Sequence, residues 1–181
     1  MTPSERQRAI AYLAETRDRL LGTTRGLSPS QLQFKPAPDR WCVAECLEHI
    51  VFVEDRILGR LSATVSEPPN PSKRSAFDGT DDELLGTVVN RTQRAQAPEP
   101  LRPTGRWPHD RLIPEFEAVR KRSAEFAATT DANLRHHFLR HPFLGELDCY
   151  QYLLLIGGHC DRHHAQVEEV ISSPGFPRPA R

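Results

Sequence analysis

Apolar residues recur along this chain at the 3.6-residue period of an α-helix, and no segment alternates apolar and polar residues over a strand length. A chain patterned this way must bury helix against helix. Four long segments carry the period. The first opens on Thr2-Pro3-Ser4-Glu5, a capping box with proline in the first turn, and continues through Ile10, Leu13, Leu20 and Leu21. It is expected over roughly 3–24, ending at Gly22 and Gly26. The second is expected to start near Trp41 from an Asp39 cap and to run to about Val65, ahead of Pro68 and Pro69. Its stripe includes Val43, Leu47, Ile50, Glu54 and Leu58. The third reads from about Leu112 to Thr129, on Ile113, Phe116, Val119 and Phe126. The fourth follows a second capping box, Asp148 to Gln151, and runs from Cys149 to about Ile171, before Pro174.

The connections are uneven. Leu27 to Arg40 contains Pro29, Pro36 and Pro38, with one short turn at Pro29–Leu32, and Asp131 to Gly145 reads as another plain connection. Residues 67–111 are proline-rich and long for a compact domain. Thr80-Asp81-Asp82-Glu83 starts a short helix inside them, and Phe77, Leu101 and Trp107 give the segment apolar side chains to pack. The segment is therefore expected to lie over the bundle and narrow access to its interior. The reading is an all-α four-helix bundle: one domain, 1–172, a partly irregular connection between helices two and three, and a flexible C-terminal tail, 173–181.

Composition bounds the function. The 181 residues suit a single domain, and 24 basic residues balance 24 acidic ones, so no broad basic face for nucleic acid is expected. The longest apolar run, Leu153 to Ile156, is far too short for a bilayer. The polar N-terminus shows no secretory signal, so a cytoplasmic protein is expected, with Cys42, Cys46, Cys149 and Cys160 as free, buried thiols.

The histidines carry the chemistry. His159 and His163 are four apart in the fourth helix and share a face with Tyr152, Ile156, Val167 and Val170, so both rings point into the bundle. Adjacent imidazoles in an apolar interior lose hydration and repel when charged. A metal ion resolves this by binding neutral imidazole; hydrogen bonds inside the bundle are the alternative. His164 lies about 100° further round and belongs at the rim. His49, in the middle of the second helix, can be donated from a facing helix as a third ligand. Glu45, one turn earlier, is a fourth ligand, an outer-shell acceptor or a surface ion-pair partner. Glu45, Glu48, Asp161 and Arg162 are the acid–base candidates near these positions, each more easily read as structural.

The segment Trp41-Cys42-Val43-Ala44-Glu45-Cys46-Leu47-Glu48-His49-Ile50 resembles the second-helix motif of the DinB-like superfamily. Gly145-Glu146-Leu147-Asp148, followed by His159-Cys160-Asp161-Arg162-His163-His164-Ala165-Gln166-Val167, resembles its fourth-helix motif, His-x3-His-x2-Gln. The resemblance covers nearly the whole chain. It implies an up-down-down-up bundle, a homodimer, and a divalent transition metal, zinc or nickel, held by His49, His159 and His163, with Gln166 at the family position after the third ligand. It also implies a thiol S-transferase acting with a low-molecular-weight thiol. Three histidine ligands would leave an open metal position for a water, a thiolate or a substrate oxygen, so a metal-dependent enzyme of S-transferase or hydrolase type acting on a small molecule is expected. A non-catalytic metal-binding or stress-associated protein, or a small-molecule-binding bundle without metal, is the competing reading. Cys42 stands where the family commonly has Ser or Thr, and Cys160 sits beside a ligand. Apolar residues off the main stripe, Phe52 and Val53, are the expected dimer face.

Overall fold

The computed structural model describes residues 1–92 and 96–178. Among these residues six α-helices form: α1 (Pro3–Thr24), α2 (Pro29–Gln33), α3 (Val43–Thr64), α4 (Asp81–Val89), α5 (His109–Thr129) and α6 (Cys149–Ile171). The four long ones, α1, α3, α5 and α6, are the bundle.

Their directions follow from side-chain contacts. Tyr12 and Arg19 of α1 both reach Asp161 of α6, and Thr23 reaches His164, so these two helices run parallel. Arg6, at the start of α1, donates to the carbonyls of Ala127 and Thr130 at the end of α5, so that pair is antiparallel. Glu54 and Asp55 of α3 meet Arg120 and Arg122 of α5, while the earlier Glu48 meets Thr104, just ahead of α5. Those two are parallel. Arg60 of α3 lies over Tyr152 of α6, and His49 meets His159, which makes α3 and α6 antiparallel. The order is up-down-down-up. α1 and α3 stand on one diagonal of the square, α5 and α6 on the other, and α6 packs between α1 and α3.

Local sequence explains the ends. The Thr2–Glu5, Thr80–Glu83 and Asp148–Gln151 capping boxes all form. α3 begins later than expected: Cys42, and not Asp39, is its N-cap, and the Glu45 carboxylate accepts the Cys42 N–H at 2.8 Å. Sulfur is a weak acceptor, so the acidic half of the box carries this cap. α5 starts three residues before Leu112, with Pro108 as N-cap. Gly157 and Gly158 of α6 permit close approach: a Cβ at 157 would stand 2.6 Å from the Tyr12 ring, and one at 158 would stand 3.0 Å from Leu85 Cδ2.

The stretch read as a plain connection, Asp131 to Gly145, holds the first half of a hairpin. Phe138–His141 (β1) pairs antiparallel with Gly145–Asp148 (β2), with Leu139 opposite Leu147 and both buried. Four-residue strands are too short to show alternation. Gly145, at φ 73°, makes the turn.

The long connection packs on the bundle as expected. Leu84 of α4 is fully buried, Phe77, Leu85 and Val88 lie against the core, and Trp107 packs on Phe52 with ring centroids 5.3 Å apart. Residues 173–178, expected as a tail, dock on α2: Phe176 meets Phe34 edge-on at 5.5 Å, and Gln31 donates to the Pro177 carbonyl. Residues 179–181 of that tail lie outside the described residues. All four cysteines are free and buried. Among the described residues no helix is long and apolar enough to cross a membrane.

One buried ion pair crosses the core. Glu54 and Arg120, 2% and 1% exposed, form a bidentate pair at 2.9 Å for both bonds. Arg120 also donates to the Leu13 carbonyl and to Thr16 Oγ1. Every element of that knot has a partner, as burial of a charge demands.

Candidate metal centre

Antiparallel packing of α3 and α6 puts His49 opposite His159 and His163. The three imidazoles offer nitrogens that all lie within 4.8 Å of one another. Ring centroids are 4.5–5.0 Å apart, and His49 Nε2 stands 3.2 Å from His159 Nε2. Two imidazole ligands of a tetrahedral zinc ion, each at about 2.0–2.1 Å, have nitrogens about 3.3 Å apart. The observed separation fits a shared ion.

The outer ring nitrogens decide which inner nitrogens are bare. His49 Nδ1 lies 2.7 Å from the Leu101 carbonyl, which only accepts, so Nδ1 carries the proton and Nε2 keeps its lone pair. His163 Nδ1 lies 3.0 Å from Gln166 Oε1. Arg91 Nη1 donates to that same oxygen at 3.2 Å, which fixes the amide orientation. His163 therefore also holds its proton on Nδ1 and turns a bare Nε2 inward. Among the described residues at most one donor, His159 Nε2–H, is at hand for two inward lone pairs. A cation satisfies all three, and outer partners of this kind are what orient metal-ligating histidines.

The electrostatics agree. Burial lowers the His49 pKa below the ordinary imidazole value. Burial and the neighbouring imidazoles hold His159 and His163 well below it. All three rings are neutral at neutral pH, the form that binds metal. Trp41 closes one side, 4.9 Å from His49 and stacked on His163 at 6.0 Å, while His159 is only half-buried.

The structure brings Gln166 to the centre but not Glu45, whose oxygens accept from Lys35 Nζ and Cys42 N–H, each at 2.8 Å. His164 turns to Thr23 of α1. Cys160 points away, its thiol donating toward the Thr16 carbonyl at 3.6 Å, and burial pushes its pKa up to about 11. No cysteine joins the cluster among the described residues. Asp161 is spent on Tyr12 and Arg19, and Arg162 donates to the Val88 and Asn90 carbonyls. Sequence reasoning missed Arg91 and the Leu101 carbonyl, since neither a distant arginine nor a backbone acceptor leaves a local pattern. It saw Trp41 only as part of a motif, although the residue lies against two of the three rings.

Comparison with known proteins points the same way. A profile of the DinB superfamily matches residues 12–167. The uncharacterized protein YuaE of Bacillus subtilis (strain 168) is 25% identical over 151 residues, covering 81% of this chain and 86% of its own. The solved structure of YfiT from Bacillus subtilis superposes with a TM-score of 0.65 at 16% identity, over 98% of this chain and 91% of that one. YfiT is described as a probable metal-dependent hydrolase with an unusual four-helix bundle topology. With the family profile spanning most of its length, and with the bundle order and histidine cluster in place, this chain belongs to the DinB superfamily.

Proposed function

We propose that the protein is a metal-dependent enzyme in which His49, His159 and His163 hold one divalent transition metal, zinc or nickel, for hydrolysis or for transfer of a low-molecular-weight thiol. The observation that carries this reading is the pair of bare imidazole nitrogens, on His49 and His163, turned toward a third imidazole between α3 and α6. An ion with three protein ligands supplies a Lewis acid with a position left for a water, a thiolate or a substrate oxygen.

The chain's residues have three tasks there. The histidines present neutral nitrogen donors. Leu101 and Gln166 lock their tautomers. Trp41 shields one side of the rings. A non-catalytic metal-binding protein would need a closed site, with Glu45 or Cys46 as a fourth ligand; Glu45 is committed to Lys35 and the helix cap, and neither residue belongs to the cluster. The description of YfiT supports the hydrolase arm, and the family resemblance supports the thiol arm.

A homodimer and a cytoplasmic location belong to the same proposal. Phe52, expected at the dimer face, is covered by its own chain, under Trp107 and under the Arg106 guanidinium 4.5 Å from its ring. Among the described residues Phe143, at the hairpin turn, is the large apolar side chain left exposed, so it is the anchor available to a two-fold contact.

Metal-loaded protein should be screened against thiols paired with electrophiles and against simple esters and amides. Turnover that disappears with chelation and in His159→Ala is expected. Turnover indifferent to both, or none from fully loaded protein across both substrate sets, would overturn the enzyme reading.

A further inference from the structure

We infer that Glu48 is a positioning residue of the metal centre, acting through the segment 101–106 on His49; the inference rests on the metal reading above. Glu48 is 2% exposed. Its carboxylate is held by donors from one short stretch of chain. Oε1 accepts from Thr104 N–H and Thr104 Oγ1, each at 2.9 Å, and from Arg106 N–H at 3.3 Å, and Oε2 accepts from Gly105 N–H at 2.9 Å. Successive backbone N–H groups converging on one anion form a nest. Gly105, at φ 71°, supplies the left-handed residue that closes it.

The same stretch reaches the metal centre. Three residues before Thr104, the Leu101 carbonyl accepts the His49 Nδ1 proton at 2.7 Å. Glu48 and His49 are neighbours on α3 and point about 100° apart. His49 turns to α6, Glu48 turns outward, and the segment spans both. It is pinned again by Trp107 on Phe52. A buried carboxylate is costly unless its hydrogen bonds hold it. Here those bonds fix the loop that supplies the outer partner of a ligand. With Glu48 in place, Leu101 stays over Nδ1, and Nε2 is the nitrogen presented inward. Without it, the segment loses its anchor and His49 is free to change tautomer.

Coupling of this kind is reciprocal. Metal bound at His49 favours the Nδ1–H tautomer, so it should also favour the closed segment.

The test uses the full chain in three forms: wild type, Glu48→Gln and Thr104→Val. Zinc affinity is read by competition with a chromophoric chelator, and the centre's geometry by the visible spectrum of the cobalt-substituted protein. Loss of an outer partner usually costs about 10–100-fold in metal affinity. Glu48→Gln should lose affinity in that range and alter the cobalt spectrum. Thr104→Val deletes a single donor on an exposed residue, leaves the core untouched and should lose about two- to fivefold. In the wild type, zinc should slow amide hydrogen exchange at Gly105 and Arg106. If Glu48 only stabilises the fold, both variants will melt earlier yet keep wild-type zinc affinity and an unchanged cobalt spectrum, and the inference fails. Should Glu48→Gln not fold, Thr104→Val and the exchange measurement decide alone. Wild-type protein that binds no zinc at all would instead sink the metal reading beneath it.

Discussion

Two polar clusters lie inside the bundle, one between α3 and α5 and one between α3 and α6. The Glu54–Arg120 pair is charged and buried, and its donors and acceptors serve one another, with Leu13 and Thr16 accepting from Arg120 Nη1. The histidine cluster is neutral, with His49 and His163 buried and His159 half-buried. The outer nitrogens of His49 and His163 are satisfied, while their two inner lone pairs share at most the His159 Nε2–H between them. Both sit within two turns of α3. A polar group whose partners are complete fastens helices; one whose lone pairs converge on too few donors is a candidate ligand site. The contrast distinguishes a structural knot from a candidate chemical site by hydrogen bonds.

The comparison should break cleanly by mutation. Replacing any one of His49, His159 or His163 by Ala should remove most of the bound metal while the metal-free protein keeps its melting temperature. Elemental analysis and calorimetry on the same samples check this, and His164→Ala, at the α1 contact, should change neither. The reverse holds at the ion pair. Arg120→Ala leaves Glu54 buried and unpaired, which typically costs about 3–5 kcal/mol of stability. Denaturant unfolding should show that loss with metal stoichiometry unchanged in the folded protein. A joint Glu54→Leu, Arg120→Met variant should recover much of it, because hydrophobic replacement removes both desolvation penalties.

A smaller effect sharpens the same contrast through pH. The three imidazole pKa values are depressed in the fold, so protons bind the unfolded chain more readily. This contribution to stability is fully present above the ordinary imidazole value, near pH 6.5, and is lost as pH falls toward the depressed values. Melting of metal-free protein between pH 7.5 and about 5 should show stability declining with acid, and His159→Ala and His163→Ala should flatten that slope. The Glu54–Arg120 variants should leave its shape unchanged. The smallest signal is optical. Trp41 lies against two of the rings, whereas Trp107 packs on Phe52, so copper or nickel should quench the Trp41 share of the fluorescence and leave Trp41→Phe nearly indifferent.

What the sequence disclosed follows the same division. Helix limits were legible because caps are local: Thr2 with Glu5 and Asp148 with Gln151 mark α1 and α6 within the chain that forms them. The i, i+4 histidines were legible for the same reason. Glu54 already lay on the apolar stripe of α3, but its partner is 66 positions away and nothing around Arg120 marks it as buried. The α3 start was misplaced because Asp39 looks like a better cap than Cys42, and the carboxylate doing the capping sits inside the helix, at Glu45. The hairpin was hidden by four-residue strands, and the Leu101 carbonyl by being backbone. Arg135, which draws Glu5, Asp81 and Asp148 together at the starts of three helices, was equally invisible, since those carboxylates come from three distant segments.

The measurement closest to the central claim is the metal content of protein purified without an affinity tag, compared with a His49→Ala, His159→Ala double variant prepared in parallel. One divalent transition metal per wild-type chain and almost none in the variant is the predicted result. Full occupancy in the double variant, or a wild-type chain that stays empty after incubation with zinc or nickel, would contradict it.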